Sequence, residues 1–130
     1  ARGRLGMLLR GFGIEEGAES EADIDLHEGG PVERDRVMVL HSPDYRRNDS
    51  MVGGHAVLTE SLEVLRDMAA GQGPLHSIVM LGYAGWGPDQ LESEIARGSW
   101  LTVEADEDLL FDDVIDTKWQ RAIARHGFDL

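Results

Sequence analysis

The chain contains no cysteine, which excludes disulfide staples, thiol nucleophiles and thiolate metal sites. Lysine is almost missing, Lys118 being the only one, and positive charge as a whole is scarce. Twelve Lys and Arg stand against 25 Asp and Glu, a formal net charge of −13. A protein that holds nucleic acid or an anionic membrane by bulk charge needs the opposite balance, so direct nucleic-acid binding is disfavoured. Long apolar runs are also missing: the longest, Val37–Leu40 and Ile78–Leu81, are far too short to span a bilayer. No cationic stretch followed by an apolar one opens the chain, so the expected location is the cytoplasm. A length of 130 residues with 42% hydrophobic residues suits one domain with a real core, expected to span 1–130.

What is present is a mixture of helix and strand signals. Leu5, Leu8, Leu9 and Phe12 recur at helical spacing, with Gly13 placed to end the helix. Val37–Leu40 and Ile78–Leu81 read as interior strands buried on both faces, and Ala56–Leu58 as a shorter strand. Thr59 is placed to cap a helix whose apolar face is Leu62, Leu65, Met68 and Ala69, stopped by Gly71–Pro74. Pro88 starts another helix carrying Leu91 and Ile95, closed by Gly98. Trp100–Val103 reads as a third strand, and Asp106–Asp108 as a helix start leading to Leu109, Leu110 and Phe111. Asp116 caps a last helix with Trp119, Ala122 and Ile123 inward and Gly127 as its stop. Glu15–Glu28 holds seven acids and no base and reads as a solvated loop. Ser42–Ser50 reads as a mobile connection. Strands and helices do not alternate strictly, so the fold class is α+β with a mixed sheet in a single domain.

Chemistry concentrates in Gly82-Tyr83-Ala84-Gly85-Trp86-Gly87-Pro88-Asp89-Gln90. It runs from a buried strand through a glycine turn into a helix, the setting of phosphate loops. However, its glycines follow G-x-x-G-x-G, no Gly-Lys-Ser/Thr follows, and Asp89 in the first helical turn would repel an anion. Trp86 is open to two readings, a core plug with a hydrogen-bonded indole or a groove wall with Tyr83. Gly29-Gly30-Pro31 makes a tight turn before a strand that ends at His41-Ser42. Adjacent strand residues point to opposite faces, so this pair does not make a nucleophile and its base. The five histidines lie outside H-E-x-x-H, H-x-H and E-x-x-H spacings, so no metal site, catalytic residue or cofactor is assigned.

Gly29-Gly30-Pro31-Val32 with Val39-Leu40-His41, Thr59-Glu60-Ser61, Leu81-Gly82-Tyr83-Ala84-Gly85-Trp86-Gly87 with Gln90-Leu91-Glu92, Trp100-Leu101, Leu110-Phe111-Asp112 and Trp119 together resemble the AlgH/YqgE family of small bacterial proteins. The resemblance runs over nearly the whole chain from Leu5. It implies a mixed, partly barrel-like sheet surrounded by helices, and a further N-terminal segment ahead of this sequence, in keeping with a start at Ala1 rather than Met. The family name carries an association with alginate gene regulation, and the resemblance transfers no catalytic residues. Asp89 departs from the small residue, usually Gly, that the family places there. The candidate binding surface is Gly30, His41, Tyr83, Gly85, Trp86 and Gln90, in a regulatory or adaptor protein with a protein partner. The alternative is a small-molecule binder or enzyme using His41 and the Trp86 loop.

Overall fold

The computed structural model describes residues 2–45, 50–112 and 114–126. Arg46–Asp49 of the expected mobile connection, and the expected helix stop at Gly127, lie outside them. The chain divides into two compact units, Ala1–Ala84 and Gly85–Leu130.

The first unit is a mixed sheet backed by two helices. Its strands are β1 (Arg2–Arg4), β2 (Asp23–Glu28), β3 (Val32–His41), β4 (Ser50–Val52), β5 (Val57–Thr59) and β6 (Ser77–Tyr83). They lie in the order β1-β2-β6-β3-β5-β4. Only β2 and β6 run parallel; the other neighbours are antiparallel. Helix α1 (Leu5–Gly11) ends where Ile14 N–H donates to Leu9 O at 2.9 Å. Helix α2 (Leu62–Ala69) presents Val64 and Leu65 to the same core. The core joins Leu5 and Leu9 of α1 to Ile24, Val37, Val39 and Val79 of the sheet.

Along β3, buried Val37, Val39 and His41 alternate with half-buried Met38 and Leu40. The strand is interior as expected, but only one face is fully covered, the face that takes α1 and α2. Two expectations in this unit are corrected. The acidic stretch is not all loop: Asp23–Glu28 forms β2, because Ile24 and Leu26 fall on alternate positions and reach the core. The cap of α2 is Ser61, whose hydroxyl accepts from Glu63 N–H at 3.1 Å, while Thr59 sits fully buried in β5.

The second unit is helical. It holds α3 (Gln90–Ala96), α4 (Glu107–Phe111), a 3-10 turn (Ile115–Thr117) and α5 (Lys118–His126). Asp106 caps α4 by accepting from Leu109 N–H at 2.8 Å. α5 is tied to the end of α4: Lys118 Nζ donates to Leu110 O (2.9 Å), and Arg121 reaches Asp112 (3.1 Å) and Val114 O (2.7 Å). The strand expected at Trp100–Val103 is irregular, and Trp100 and Leu101 are exposed. β-propensity without a neighbouring strand to pair does not make a strand. α5 starts two residues past the expected Asp116 cap, and Trp119 is not inward but 63% exposed.

Candidate functional site

The two glycine turns meet in the first unit. Gly29 N–H donates to Leu81 O at 2.8 Å, extending the β2–β6 pairing. A Cβ on Gly30 would lie 2.2 Å from the Tyr83 carbonyl carbon, and one on Gly82 would lie 2.4 Å from Gly30 O. Gly82 also has φ +78°, which only glycine adopts freely. Gly30 and Tyr83 are therefore brought together by backbone contact that any side chain would force apart.

Next to this crossing β3 bulges: its register with β6 shifts between Val32 and Val37, with Glu33 at φ +44°. The bulge displays Glu33, Arg34 and Arg36. Arg36 pairs with Glu60 and, at 3.1 Å, with Glu33, and its guanidinium lies 5.4 Å from the Tyr83 ring centroid. The Arg36 hydrogen bond holds the Glu33 carboxyl below its ordinary range, with a smaller contribution from Tyr83. The bond with Glu33 in turn raises the Tyr83 phenol. All four groups are solvated, so the network sets orientation more than stability.

Beside the same crossing is a pocket of about 330 Å³ lined by Leu26, His27, Glu28, Gly30, Arg34 and Leu81. Leu26 and Leu81, packed against the core, form its apolar part. His27 is held by Asp25 at 2.7 Å. Arg34 pairs with no acid among the described residues. Sequence reasoning did not select Arg34, Arg36 or Glu33, because their arrangement depends on a bulge formed by a non-glycine residue in the left-handed region.

His41, a candidate for the surface, is placed elsewhere in this unit. It has no exposed area, Nδ1 donates to Ser42 O at 2.9 Å, and Nε2 pairs with the Thr59 hydroxyl at 2.9 Å. Its ring meets Tyr45 edge-on at 5.4 Å. The residue ties β3 to β5 inside the core. Ser42 Oγ accepts from His76 N–H (3.0 Å) rather than facing the His41 ring. It also holds the Asp44 carboxyl below its ordinary range, helped by Leu75 N–H at 3.0 Å.

Gly85, Trp86 and Gln90 belong to the second unit. The Gln90 side chain accepts from Gly87 N–H at 2.9 Å and closes the turn. Asp89 stands just before α3 in the left-handed region (φ +61°), and its carboxylate caps nothing. Trp86 is not a core plug: it is 39% exposed, and its indole donates to Glu94 Oε2 at 2.5 Å. Trp100, 50% exposed, donates to the same oxygen at 3.3 Å, and the two rings stand 5.9 Å apart at 75°. Glu94 and Trp100 are the partners that sequence reading left out of the candidate surface. The helical turn separating Gln90 from Glu94 was the available signal.

A six-stranded sheet with one parallel pair, two helices on one face and a helical second unit define an α+β protein of mixed-sheet class. The family model described as AlgH-like (DUF179) matches residues 4–130. The chain belongs to the AlgH-like family. It is 49% identical over 104 residues to a UPF0301 protein of Jannaschia sp. (strain CCS1), covering 78% of this chain and 54% of that one. It is 47% identical over 109 residues to a UPF0301 protein of Mesorhizobium japonicum, covering 83% and 54%. The solution structure of the AlgH protein from Pseudomonas aeruginosa is similar with a TM-score of 0.70 at 40% identity, covering 82% of this chain and 56% of that one. The chain thus spans about half the length of these relatives.

Proposed function

We propose that this protein is a cytoplasmic regulatory or adaptor protein without catalytic activity, and that it binds another protein through the pocket beside Gly30. The observation that carries this reading is the pocket itself, an apolar floor of Leu26 and Leu81 rimmed by Arg34, which pairs with no acid among the described residues. Such a site suits an apolar anchor side chain with a neighbouring carboxylate. In support, the His41-Ser42 pair is absorbed by strand hydrogen bonding, with His41 on Thr59 and Ser42 on His76. Among the described residues no three His, Asp or Glu side chains converge as a metal site requires, and no helix is long and apolar enough to cross a membrane. The −13 balance argues against a directly DNA-binding regulator.

A photo-crosslinking side chain at Glu28, on the pocket rim, is expected to capture one defined protein from bacterial lysate. Arg34→Glu is expected to abolish that capture with unchanged thermal melting. Capture that survives the charge reversal contradicts the site. The pocket volume, at the small end for organic ligands, also favours a second reading as a binder of a small carboxylate. A thermal-shift screen of organic acids tests it, with stabilisation by one compound that Arg34→Glu removes.

A further inference from the structure

The Trp86–Glu94–Trp100 corner lies wholly within the second unit and has no part in the pocket beside Gly30. Its construction is local. Gln90 closes the turn that carries Trp86, α3 presents Glu94, and Ser99 N–H donates to Glu94 O (2.9 Å), which turns the chain back toward α3. Both indole N–H groups are fixed on one carboxylate oxygen, so the rings are held nearly perpendicular with substantial area open to solvent. The other oxygen, Glu94 Oε1, accepts no hydrogen bond among the described residues. Arg97, three positions along the same helix, pairs with no acid among them either.

We infer that this corner is a receptor for an arginine side chain of a basic protein segment. Two aromatic walls attract a cation to their faces, and the spare carboxylate oxygen selects one that carries N–H donors. A planar guanidinium stacks on an indole and donates to a carboxylate at the same time, which a compact, strongly hydrated ammonium does less well. An anion would meet Glu94 directly, and an apolar side chain would cover its free oxygen without a hydrogen bond. Long-range charge agrees: Gly85–Leu130 carries eleven Asp and Glu against four Lys and Arg, a balance of −7 in little more than a third of the chain.

The test uses the indole N–H signals in an NMR titration, because the three tryptophans supply their own control. Adding a hexapeptide with three arginines is expected to shift the Trp86 and Trp100 signals saturably and leave Trp119 in place. The same peptide with citrulline, the neutral isostere, is expected to bind at least tenfold more weakly, and the lysine version to fall between them. Glu94→Gln is expected to weaken the arginine peptide at least fivefold, and Arg34→Glu to leave it unchanged. Equal binding of the citrulline peptide to the unaltered chain overturns the inference, as does an equal shift of all three indoles. The unaltered chain alone decides the matter should Glu94→Gln fail to fold.

Discussion

The two units spend their large apolar side chains in opposite ways. In residues 1–84 Leu, Ile and Val of α1, α2, β2, β3 and β6 converge with Ile14 on one sheet face, and nine side chains form a single buried cluster. Among the described residues of 85–130 the one large apolar side chain that is buried is Leu109, while Trp86, Ile95, Trp100, Leu101, Val114, Ile115 and Trp119 are exposed. All three tryptophans of the chain lie in that second region. The difference runs through the middle of one sequence motif. Gly82 and Tyr83 complete a backbone crossing that only glycines permit, whereas Trp86, three residues later, faces solvent from a hydrogen-bonded turn. Dense burial makes a residue costly to change, and exposure leaves it free for recognition.

Substitutions can break this contrast, and the largest effects belong to the first unit. Leu65→Ala, at a fully buried position, is expected to cost about 2–5 kcal/mol in denaturant unfolding. Gly82→Ala should cost about 3 kcal/mol or more, because a positive φ and a backbone clash coincide. His41→Ala removes a buried ring and its bond to Thr59 and is expected to cost about 2–4 kcal/mol. Ser61→Ala and Asp106→Ala, the helix caps of the two units, should each cost about 1 kcal/mol. A much smaller loss for the Asp106 cap would sharpen the contrast by showing that α4 adds little to global unfolding.

The smallest effects are electrostatic. Asp44 in one unit is held below its ordinary range chiefly by the Ser42 hydroxyl. Asp112 in the other is held there chiefly by Val114 N–H (2.6 Å) and also by Arg121. Each is depressed in the folded state, so its stabilisation is complete above the ordinary carboxylate range and is lost as pH falls through it. Asp44→Asn and Asp112→Asn should each flatten the acid limb of melting temperature against pH, below about pH 5. An unchanged limb in both variants contradicts the assigned bonds.

Most of the first unit was legible because its signals agree with one another. Leu5, Leu8 and Leu9 at helical spacing, and the short apolar runs of β3 and β6, each pointed to the element that forms. β2 was hidden by its acids, although Ile24 and Leu26 already alternate as a strand requires. The misplaced cap shows a local rule overridden: Thr59 is a good capping residue, but a buried partner, His41, holds it in β5. In the second unit, Trp100–Val103 carries strand-forming residues and finds no strand to pair with. The inward face assigned to Trp119 is not the covered one, since that ring is exposed. Of the candidate surface, the sequence located the glycine crossing and the Trp86 turn. It could not locate the Arg34 pocket or the Trp100 wall, which arise from a bulge and from a chain reversal after α3.

The most direct test sets Gly82→Ala against Trp86→Ala in the full chain, each followed by urea unfolding and by titration with the arginine peptide. Gly82→Ala is expected to lower unfolding free energy by about 3 kcal/mol or more. Trp86→Ala is expected to lower it by about 1 kcal/mol or less while peptide binding is lost. A Trp86→Ala variant as destabilised as Gly82→Ala, or one that is stable and binds the peptide as before, contradicts the division of this motif into a folding half and a recognition half.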